Sequence, residues 1–310
     1  MKKETELVII GAGIAGVSAA VYAKRCGLDF LIVEPGAVGG QILSMEGVDN
    51  YVGLGIGLKG KDLAANLTKT LEDLEIAVTA EEVTKIEVES KKVTVYTDNN
   101  IYSAQAVIIA TGASFRKLGV RGEAEFLGKG VSYCAVCDGF FFKDKEVAVV
   151  GGGNTALEEA LYLSEITRKV TLIHRRDQFR ALDYLQKKVI ERKNIEVIFN
   201  TIVKEIKGDS IVRETVVENV QSGQSSTLTV DGIFAAIGII PNTGFLNNTI
   251  SADNEGFILT DQQMKSSLDF IWAAGDCRKR PLKQLVTAAS EGAIAAISVY
   301  KYLKGQYISA

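Results

Sequence analysis

The sequence predicts an α/β protein with two three-layer (ββα/βαβ) domains, the second inserted in the first. Three observations carry this prediction. A strand, a glycine turn and a helix open the chain near residue 11, the same arrangement returns near residue 151, and a strand near residue 272 resumes the first domain. The expected boundaries are 1–114 and 245–310 for the outer domain and 115–244 for the inserted one.

The first glycine turn follows the apolar strand Leu7–Ile10 and reads Gly11-Ala12-Gly13-Ile14-Ala15-Gly16. A helix is expected over 17–25 and a second strand over 30–33, and this strand ends at Glu34. An acid about 20 residues after the first glycine is typical of a Rossmann-like site that holds the ribose of a dinucleotide. The glycines allow a tight turn, and the helix N-terminus offers unpaired N–H groups to a pyrophosphate.

The rest of the outer domain has weaker signals. Gly39-Gly40-Gln41 and a glycine-rich loop after Asn50 precede an amphipathic helix expected over 61–74. Alternating residues over 79–95 predict antiparallel strands. The strand Val107–Gly112 ends in small residues, which suits close approach of a ligand at the carboxyl end of a sheet.

The segment Cys134-Ala135-Val136-Cys137-Asp138 carries the redox signal. Two cysteines at this spacing can close a small disulfide ring, and Asp138 is near enough to exchange protons with a thiol. Half of a zinc site is the alternative. A structural zinc site needs four ligands, and the remaining candidates are the isolated Cys26, Cys277 and His174, so we expect no metal.

The second glycine turn, Gly151-Gly152-Gly153-Asn154-Thr155-Ala156, lies between a strand over 147–150 and a helix expected over 157–165. The next strand, 170–173, ends in His174-Arg175-Arg176, with Arg180 one helical turn later. Arg175 stands where the first copy has its acid. Because guanidinium groups bind a 2′-phosphate that an acid would repel, we expect NADPH rather than NADH.

The chain then returns to the outer domain. A small-residue strand over 233–238 is followed by a turn or linker, Pro241–Gly244. The strand 270–276 ends at Asp276, placed to accept a hydrogen bond from a polyol, and Lys283-Gln284-Leu285 opens a helix over 286–302. Cys26 and Cys277 are expected in the core, and Arg278–Arg280 on a solvated face.

Composition narrows the class of protein. A net charge of −3 argues against a nucleic-acid binder, and no apolar run is long enough to predict a membrane span. The charged start Met1–Glu4 predicts no signal peptide. Four cysteines, two without a neighbour in sequence, do not form an extracellular disulfide framework, so we expect a cytoplasmic protein.

With these motifs in hand, residues 5–303 resemble the low-molecular-weight thioredoxin reductases. The resemblance rests on GAGIAG, GGQ, ATG, CAVCDG, GGGNTALEEA, HRRDQFRA, AAIG-x-x-PN and AAGD, in that family's order. It implies that FAD is bound by Gly11, Gly13, Ile14, Ala15, Glu34, Gly40, Gln41, Asn50, Val83, Ala110, Thr111, Gly112, Gly275, Asp276, Lys283, Gln284 and Leu285. It implies that NADPH is bound by Gly153, Asn154, Thr155, Ala156, His174, Arg175, Arg176, Arg180, Ile237 and Gly238.

The resemblance also implies the order of electron transfer. NADPH reduces FAD, FAD reduces the Cys134–Cys137 disulfide, and the dithiol reduces thioredoxin or a thioredoxin-like protein. Cys137 would lie against the flavin, Cys134 would attack the partner, and Asp138 would be the acid–base group. Phe140 and Phe141 would receive the thioredoxin side chain or pack in a core, and a homodimer is implied. Departures from the family pattern are Ile14 for a proline and Lys283 and Lys129 for arginines.

The order of the motifs has a mechanical consequence. The disulfide and the nicotinamide site lie on one inserted domain, and both must reach a flavin held by the flanking segments. We therefore expect the inserted domain to rotate about hinges near Ala113–Lys117 and Pro241–Gly244. Two alternatives are an FAD-dependent dithiol oxidase that uses oxygen, which would not need the arginines, and a redox or nucleotide sensor without turnover, which would not need Asp138.

Overall fold

The computed structural model describes residues 2–45 and 47–306. The strands are β1 (Lys2–Ile10), β2 (Phe30–Val33), β3 (Val78–Thr79), β4 (Val83–Glu89), β5 (Lys92–Thr97), β6 (Ile101–Ile109), β7 (Ala113–Phe115), β8 (Val131–Ser132), β9 (Glu146–Val150), β10 (Lys169–Ile173), β11 (Ile195–Ile198), β12 (Thr201–Gly208), β13 (Val212–Asn219), β14 (Ser225–Thr229), β15 (Gly232–Ala235), β16 (Ile239–Pro241) and β17 (Ile271–Ala273). The helices are α1 (Ile14–Arg25), α2 (Gly60–Asp73), α3 (Ala135–Asp138), α4 (Asn154–Ser164), α5 (Asp183–Glu191) and α6 (Leu285–Leu303).

The chain folds into two compact units. The outer unit is Met1–Ser114 with Ile240–Ala310, and the inserted unit is Phe115–Ile239. The second boundary between the units thus lies between residues 239 and 240, whereas the sequence analysis predicted it between residues 244 and 245. The reason is that β16 pairs with β7 and that Asn242, just beyond it, is hydrogen-bonded to Thr111 and Gly112 of the outer unit.

The outer unit is built on a seven-stranded sheet in the order β3-β2-β1-β6-β5-β4, with β17 also pairing with β6. Strands β1, β2, β3, β6 and β17 pair in parallel, and β4, β5 and the first half of β6 form the predicted antiparallel excursion. Apolar residues fill both faces of this sheet, because its central strands are covered on each side.

Helices α1 and α6 pack closely on one face of this sheet, and glycine makes the approach possible. A Cβ on Gly292 of α6 would lie 2.0 Å from the carbonyl oxygen of Ala15 in α1, and one on Gly16 would lie 1.8 Å from the carbonyl oxygen of Gly11. Only hydrogen fits at either position. The third glycine of the first motif is therefore a packing residue, as its place in the turn predicts.

The inserted unit contains a five-stranded parallel sheet in the order β11-β10-β9-β15-β8 and a separate antiparallel sheet, β12-β13-β14. Helices α4 and α5 contribute to the core on one face, and the antiparallel strands to the core on the other. The α/β class, with a second parallel sheet inserted in the first, is confirmed. No helix within residues 2–45 and 47–306 is long and apolar enough to cross a membrane.

Candidate active site

The first glycine turn leaves an open space at the N-terminus of α1. Gly11 has φ +104°, and a Cβ there would meet the carbonyl oxygen of Ala110 at 2.5 Å. At Gly13, by contrast, an added Cβ would meet no heavy atom of the described residues within 4 Å. Helix α1 begins at Ile14 rather than at the predicted Val17, so Ile14 and Ala15 already lie in its first turn. The open space and the unpaired amides fit a pyrophosphate.

Glu34 follows β2 and is fixed beside this turn. Its carboxylate accepts hydrogen bonds from the N–H groups of Ala12 (2.9 Å) and Gly36 (3.0 Å). The N–H of Gly39 donates to the carbonyl of Ala12 at 2.9 Å, which brings Gly40 and its neighbour Gln41 to the same turn. The side-chain amide of Gln41 donates to the carbonyl of Ala113.

Ala110, Thr111 and Gly112 end β6 next to the glycine turn. The N–H of Ala110 donates to the carbonyl of Ile10 at 2.8 Å. Thr111 and Asn242 exchange side-chain-to-carbonyl hydrogen bonds at 2.8 and 2.9 Å, and Gly112 has φ +66°. The PN motif is therefore attached to the ATG motif within the outer unit.

The AAGD segment lies on a buried charge network that the sequence did not predict. Glu291 of α6 accepts hydrogen bonds from the N–H of Gly275 (2.8 Å) and from Nη1 of Arg278 (2.6 Å), and its other contact is Nη1 of Arg280 at 3.1 Å. Arg280 also pairs with Asp276. The prediction of a solvated face over 278–280 is wrong for both arginines, because α6 brings Glu291 against them; Lys279 alone is exposed. The signal was a glutamate inside a helix of small apolar residues.

The remaining predicted flavin contacts include Lys283, which is hydrogen-bonded to the same segment. Lys283 donates to the carbonyls of Asp276 and Arg278, each at 3.0 Å, and its Nζ is 4.0 Å from the ring centre of Phe257. Burial lowers the pKa of Lys283. Gln284 caps α6 and accepts a hydrogen bond from Asn50 at 3.0 Å. Leu285 is the first residue of α6 and Val83 the first of β4.

The second glycine turn repeats the geometry of the first. Gly153 caps α4, and an added Cβ would meet no heavy atom of the described part of the chain within 4 Å. Helix α4 begins at Asn154 rather than at Leu157, so Asn154, Thr155 and Ala156 form its first turn. At Gly152, however, a Cβ would lie 2.2 Å from the ring of His174. These residues fit a second dinucleotide.

His174 packs against the second glycine turn. The residue is 4% exposed, its Nε2 is 3.1 Å from the carbonyl oxygen of Gln178, and its ring packs against Phe179. Burial lowers its pKa, so the ring is held neutral near pH 7. The His174 ring therefore occupies the space that a side chain at Gly152 would need.

The arginines stand beside the same turn. Arg175, Arg176 and Arg180 are exposed, and the N–H of Arg180 donates to the carbonyl of Gly152 at 2.8 Å. The side chain of Asn154 accepts a hydrogen bond from the N–H of Leu182 at 2.9 Å, which holds the following segment in place. Ile237 and Gly238 follow β15, whose next residue, Ala236, donates to the carbonyl of Val150.

The cysteines form a disulfide bond, with their Cα atoms 5.3 Å apart. Cys134 caps α3, and its Sγ accepts a hydrogen bond from the N–H of Cys137 at 3.2 Å. Asp138 ends α3, and its carboxylate accepts a hydrogen bond from the Ser132 hydroxyl at 2.5 Å. Both cysteines are half-buried.

Aromatic residues follow the pair. Phe142 is buried in the core, whereas Phe140 is 72% exposed and Phe141 45% exposed. Core packing within the inserted unit therefore does not explain Phe140.

The sequence analysis did not identify one carboxylate that contacts α3, the helix that contains Cys137. Glu159 of α4 accepts a hydrogen bond from the N–H of Ala135 at 3.5 Å, while its Oε2 is buried without a hydrogen-bond partner among the described residues. Burial raises the pKa of Glu159 to about 7, and the neighbouring Glu158 adds to the rise.

Residues 5–292 match the family described as pyridine nucleotide-disulphide oxidoreductase. A thioredoxin reductase of Treponema pallidum is 40% identical over 303 residues, which is 98% of this chain and 98% of that protein. The chain belongs to the low-molecular-weight thioredoxin reductases. It is a flavoprotein oxidoreductase, and Cys134–Cys137 is its redox-active disulfide.

Solved structures of other thioredoxin reductases agree with this assignment. The Streptococcus pyogenes thioredoxin reductase is 42% identical, with a TM-score of 0.94, over 98% of this chain and all of that one (100%). The Lactococcus lactis thioredoxin reductase, described as the FR conformation, is 37% identical with a TM-score of 0.66, over 97% and 99% of the two chains. The predicted enzyme class is confirmed, and the family implies a flavin and a nicotinamide nucleotide.

Proposed function

We propose that this reductase holds FAD on its outer unit and NADPH on its inserted unit, and that Cys134–Cys137 passes electrons to thioredoxin or a thioredoxin-like protein. The observation that carries the proposal is which groups lie on the same unit as the disulfide. The disulfide, one open glycine turn and the exposed arginines lie on the inserted unit. The other open turn and Glu34 lie on the outer unit. Two dinucleotide sites and one reducible pair are the parts that such a transfer needs.

In the outer unit, the α1 amides and Gly13 bind the FAD pyrophosphate, and Glu34 receives the ribose hydroxyls. The ends of β6 and β17, with Lys283 and Gln284, hold the remainder. FAD supplies two-electron transfer between the nicotinamide and the disulfide. Arg280 and Glu291 fix the backbone at Gly275 and Asp276, so the site is ordered before FAD enters.

In the inserted unit, Arg175, Arg176 and Arg180 bind the 2′-phosphate of NADPH with charge-assisted hydrogen bonds. His174 holds the glycine turn rigid from below. When the disulfide is opened, Cys134 attacks the disulfide of the partner and Cys137 displaces the reduced partner. Asp138 moves protons to and from the sulfurs, and Ser132 orients its carboxylate.

The inserted unit rotates between half-reactions in this proposal. The disulfide and the nicotinamide must each approach the flavin, and two segments, β7 and β16, join the units. Residues 113–117 and 241–244 are the proposed hinges, although Asn242 ties the second of them to the outer unit. A disulfide cross-link engineered between the units should abolish turnover and spare FAD binding; an unimpaired steady-state rate contradicts the rotation.

Exposed Phe140 offers an apolar contact beside the pair for a thioredoxin-like partner. By similarity to the family we also propose a homodimer. Two unpaired cysteines, Cys26 half-buried and Cys277 buried, are compatible with a reducing compartment, and we propose a cytoplasmic location.

Anaerobic titration of the purified flavoprotein with NADPH, followed by thioredoxin, tests the proposal. The flavin absorbance should bleach with NADPH, in preference to NADH, and return when oxidised thioredoxin is added. Bleaching by a small dithiol but not by NADPH would instead support a dithiol oxidase. NADPH binding without any bleaching would support a sensor.

A further inference from the structure

Glu159 is a half-buried carboxylate beside the redox pair, and the steps above assign no task to it. It projects from α4 to the first N–H of α3, at Ala135, the residue next to Cys134. One of its oxygens has no hydrogen-bond partner among the residues described. A carboxylate with a buried, unsatisfied oxygen is costly when ionised, and the position would tolerate an apolar residue more easily.

We propose that Glu159 is a proton-holding residue for the redox pair: it takes up a proton when the Cys134–Cys137 disulfide is reduced and releases the proton when the disulfide re-forms. This inference rests on the proposed role of that pair as the reducible group. Glu159 is hydrogen-bonded to the backbone of α3, and we propose that it acts on the pair through charge.

The charge balance gives the physical reason. Reduction breaks the bond between the two sulfurs with two electrons from the flavin; Cys137 takes one proton as a thiol, and Cys134 remains a thiolate that the N–H of Cys137 stabilises. A thiolate and an ionised Glu159 would then repel each other in a poorly solvated place. If the second proton goes to Glu159, the local charge is −1 before and after reduction.

In the described part of the chain, the other ionisable groups on the elements packed against α4 are paired or exposed. Asp138 on α3 is held by Ser132, and Glu158 on α4 is exposed. On the strands packed against α4, Glu146 pairs with Arg168 and Lys169 with Glu196. The ionisable groups of α5 are exposed and solvated: Asp183, Tyr184, Lys187, Lys188 and Glu191. The thiolate is therefore the main new charge that Glu159 meets on reduction.

The test is a redox titration of the pair in the holoenzyme between pH 6 and pH 8. The protein is equilibrated with mixtures of reduced and oxidised dithiothreitol, alkylated, and weighed by mass spectrometry, so two added alkyl groups report reduction. The slope of the midpoint potential against pH gives the number of protons bound per two electrons. Glu159→Gln keeps the hydrogen-bond acceptor and removes the titration, and Glu165→Gln, an exposed carboxylate at the end of the same helix, is the matched control.

Because the pKa of oxidised Glu159 is about 7, the wild type should bind more protons than Glu159→Gln by about half a proton at pH 7 and by nearly one at pH 8. At pH 6 the two should agree. Glu165→Gln should match the wild type throughout. Equal proton numbers for wild type and Glu159→Gln at pH 8, or the same loss in Glu165→Gln, overturn the inference.

A second measurement needs no variant at Glu159. The infrared difference spectrum of the wild type on reduction at pH 8 should show a new protonated-carboxyl band that persists in Asp138→Asn; its absence there also overturns the inference. A pair that dithiothreitol does not reduce at all would instead contradict the proposed function, so the two failures are distinguishable.

Discussion

Glu291→Gln is the substitution for which the structure gives the sharpest energetic expectation. Glu291 is the anion that buried Arg280, half-buried Arg278 and the N–H of Gly275 share. The amide of glutamine keeps one acceptor oxygen but turns two donors toward Arg278, Arg280 or Gly275, which are donors themselves. Removing one partner of a buried ion pair costs about 3–5 kcal/mol. Arg280 keeps Asp276 as a partner, so the charge that loses its compensation is mainly that of Arg278.

The assay is urea unfolding followed by tryptophan fluorescence. Trp272, the single tryptophan of the chain, is fully buried in β17 and reports the outer unit alone. With a slope of about 2–3 kcal/mol per molar urea, the midpoint should fall by about 1–2.5 M. The FAD retained after desalting should fall with it, because Gly275 and Asp276 lose their support.

Glu4→Gln, on β1 of the outer unit that Trp272 reports, is the matched control for this prediction. Its ion pair with Lys92 is exposed, so the expected loss is about 0–1 kcal/mol. A loss of less than about 1 kcal/mol in Glu291→Gln, comparable to the control, would refute the reasoning, since it would mean that the arginines are solvated or compensated elsewhere.

Other predictions follow from the turns and from Glu159. Gly13→Val should leave the midpoint of outer-unit unfolding unchanged and weaken FAD binding at least about tenfold, measured by flavin absorbance after dialysis. Gly153→Val should retain FAD and raise the KM for NADPH at least about tenfold. Equal effects of the two substitutions on both cofactors would contradict the assignment of the turns. Arg175→Ala should raise the KM for NADPH by about 10–150-fold without changing that for NADH, because a hydrogen bond to a charged group contributes about 1.5–3 kcal/mol; an equal rise for both nucleotides would exclude a 2′-phosphate contact. The pKa of Glu159 is raised from 4.5 to about 7 in the folded state, so between these pH values the folded protein binds more protons than the unfolded chain. Its stability should therefore fall as the pH rises through that range. The thermal stability of Glu159→Gln should lack this part of the pH dependence, and a pH profile equal to that of the wild type would show that the carboxyl is solvated.

Much of the site could be predicted because its signals are local. A strand, a glycine turn, a helix and an acid or an arginine at a set distance occupy one short segment, and their geometry follows from the turn itself. The openness at Gly13 and Gly153 and the proximity of Glu34 and the arginines to their turns agree with that expectation. Helices α1 and α4 begin at Ile14 and Asn154, earlier than predicted, because the last residues of each glycine turn are already helical.

The sequence by itself determined the α/β class, the two glycine turns, the cysteine pair and the enzyme family, because each depends on residues close together in the chain. Only the tertiary structure decided which charges are buried. Arg280 meets Glu291, and Glu159 lies under Ala135, because a helix packs on a loop or on another helix that no local pattern specifies. The boundary between residues 239 and 240 has the same cause. It is set by strand pairing between segments that are distant in the chain, and no local sequence pattern predicts such pairing.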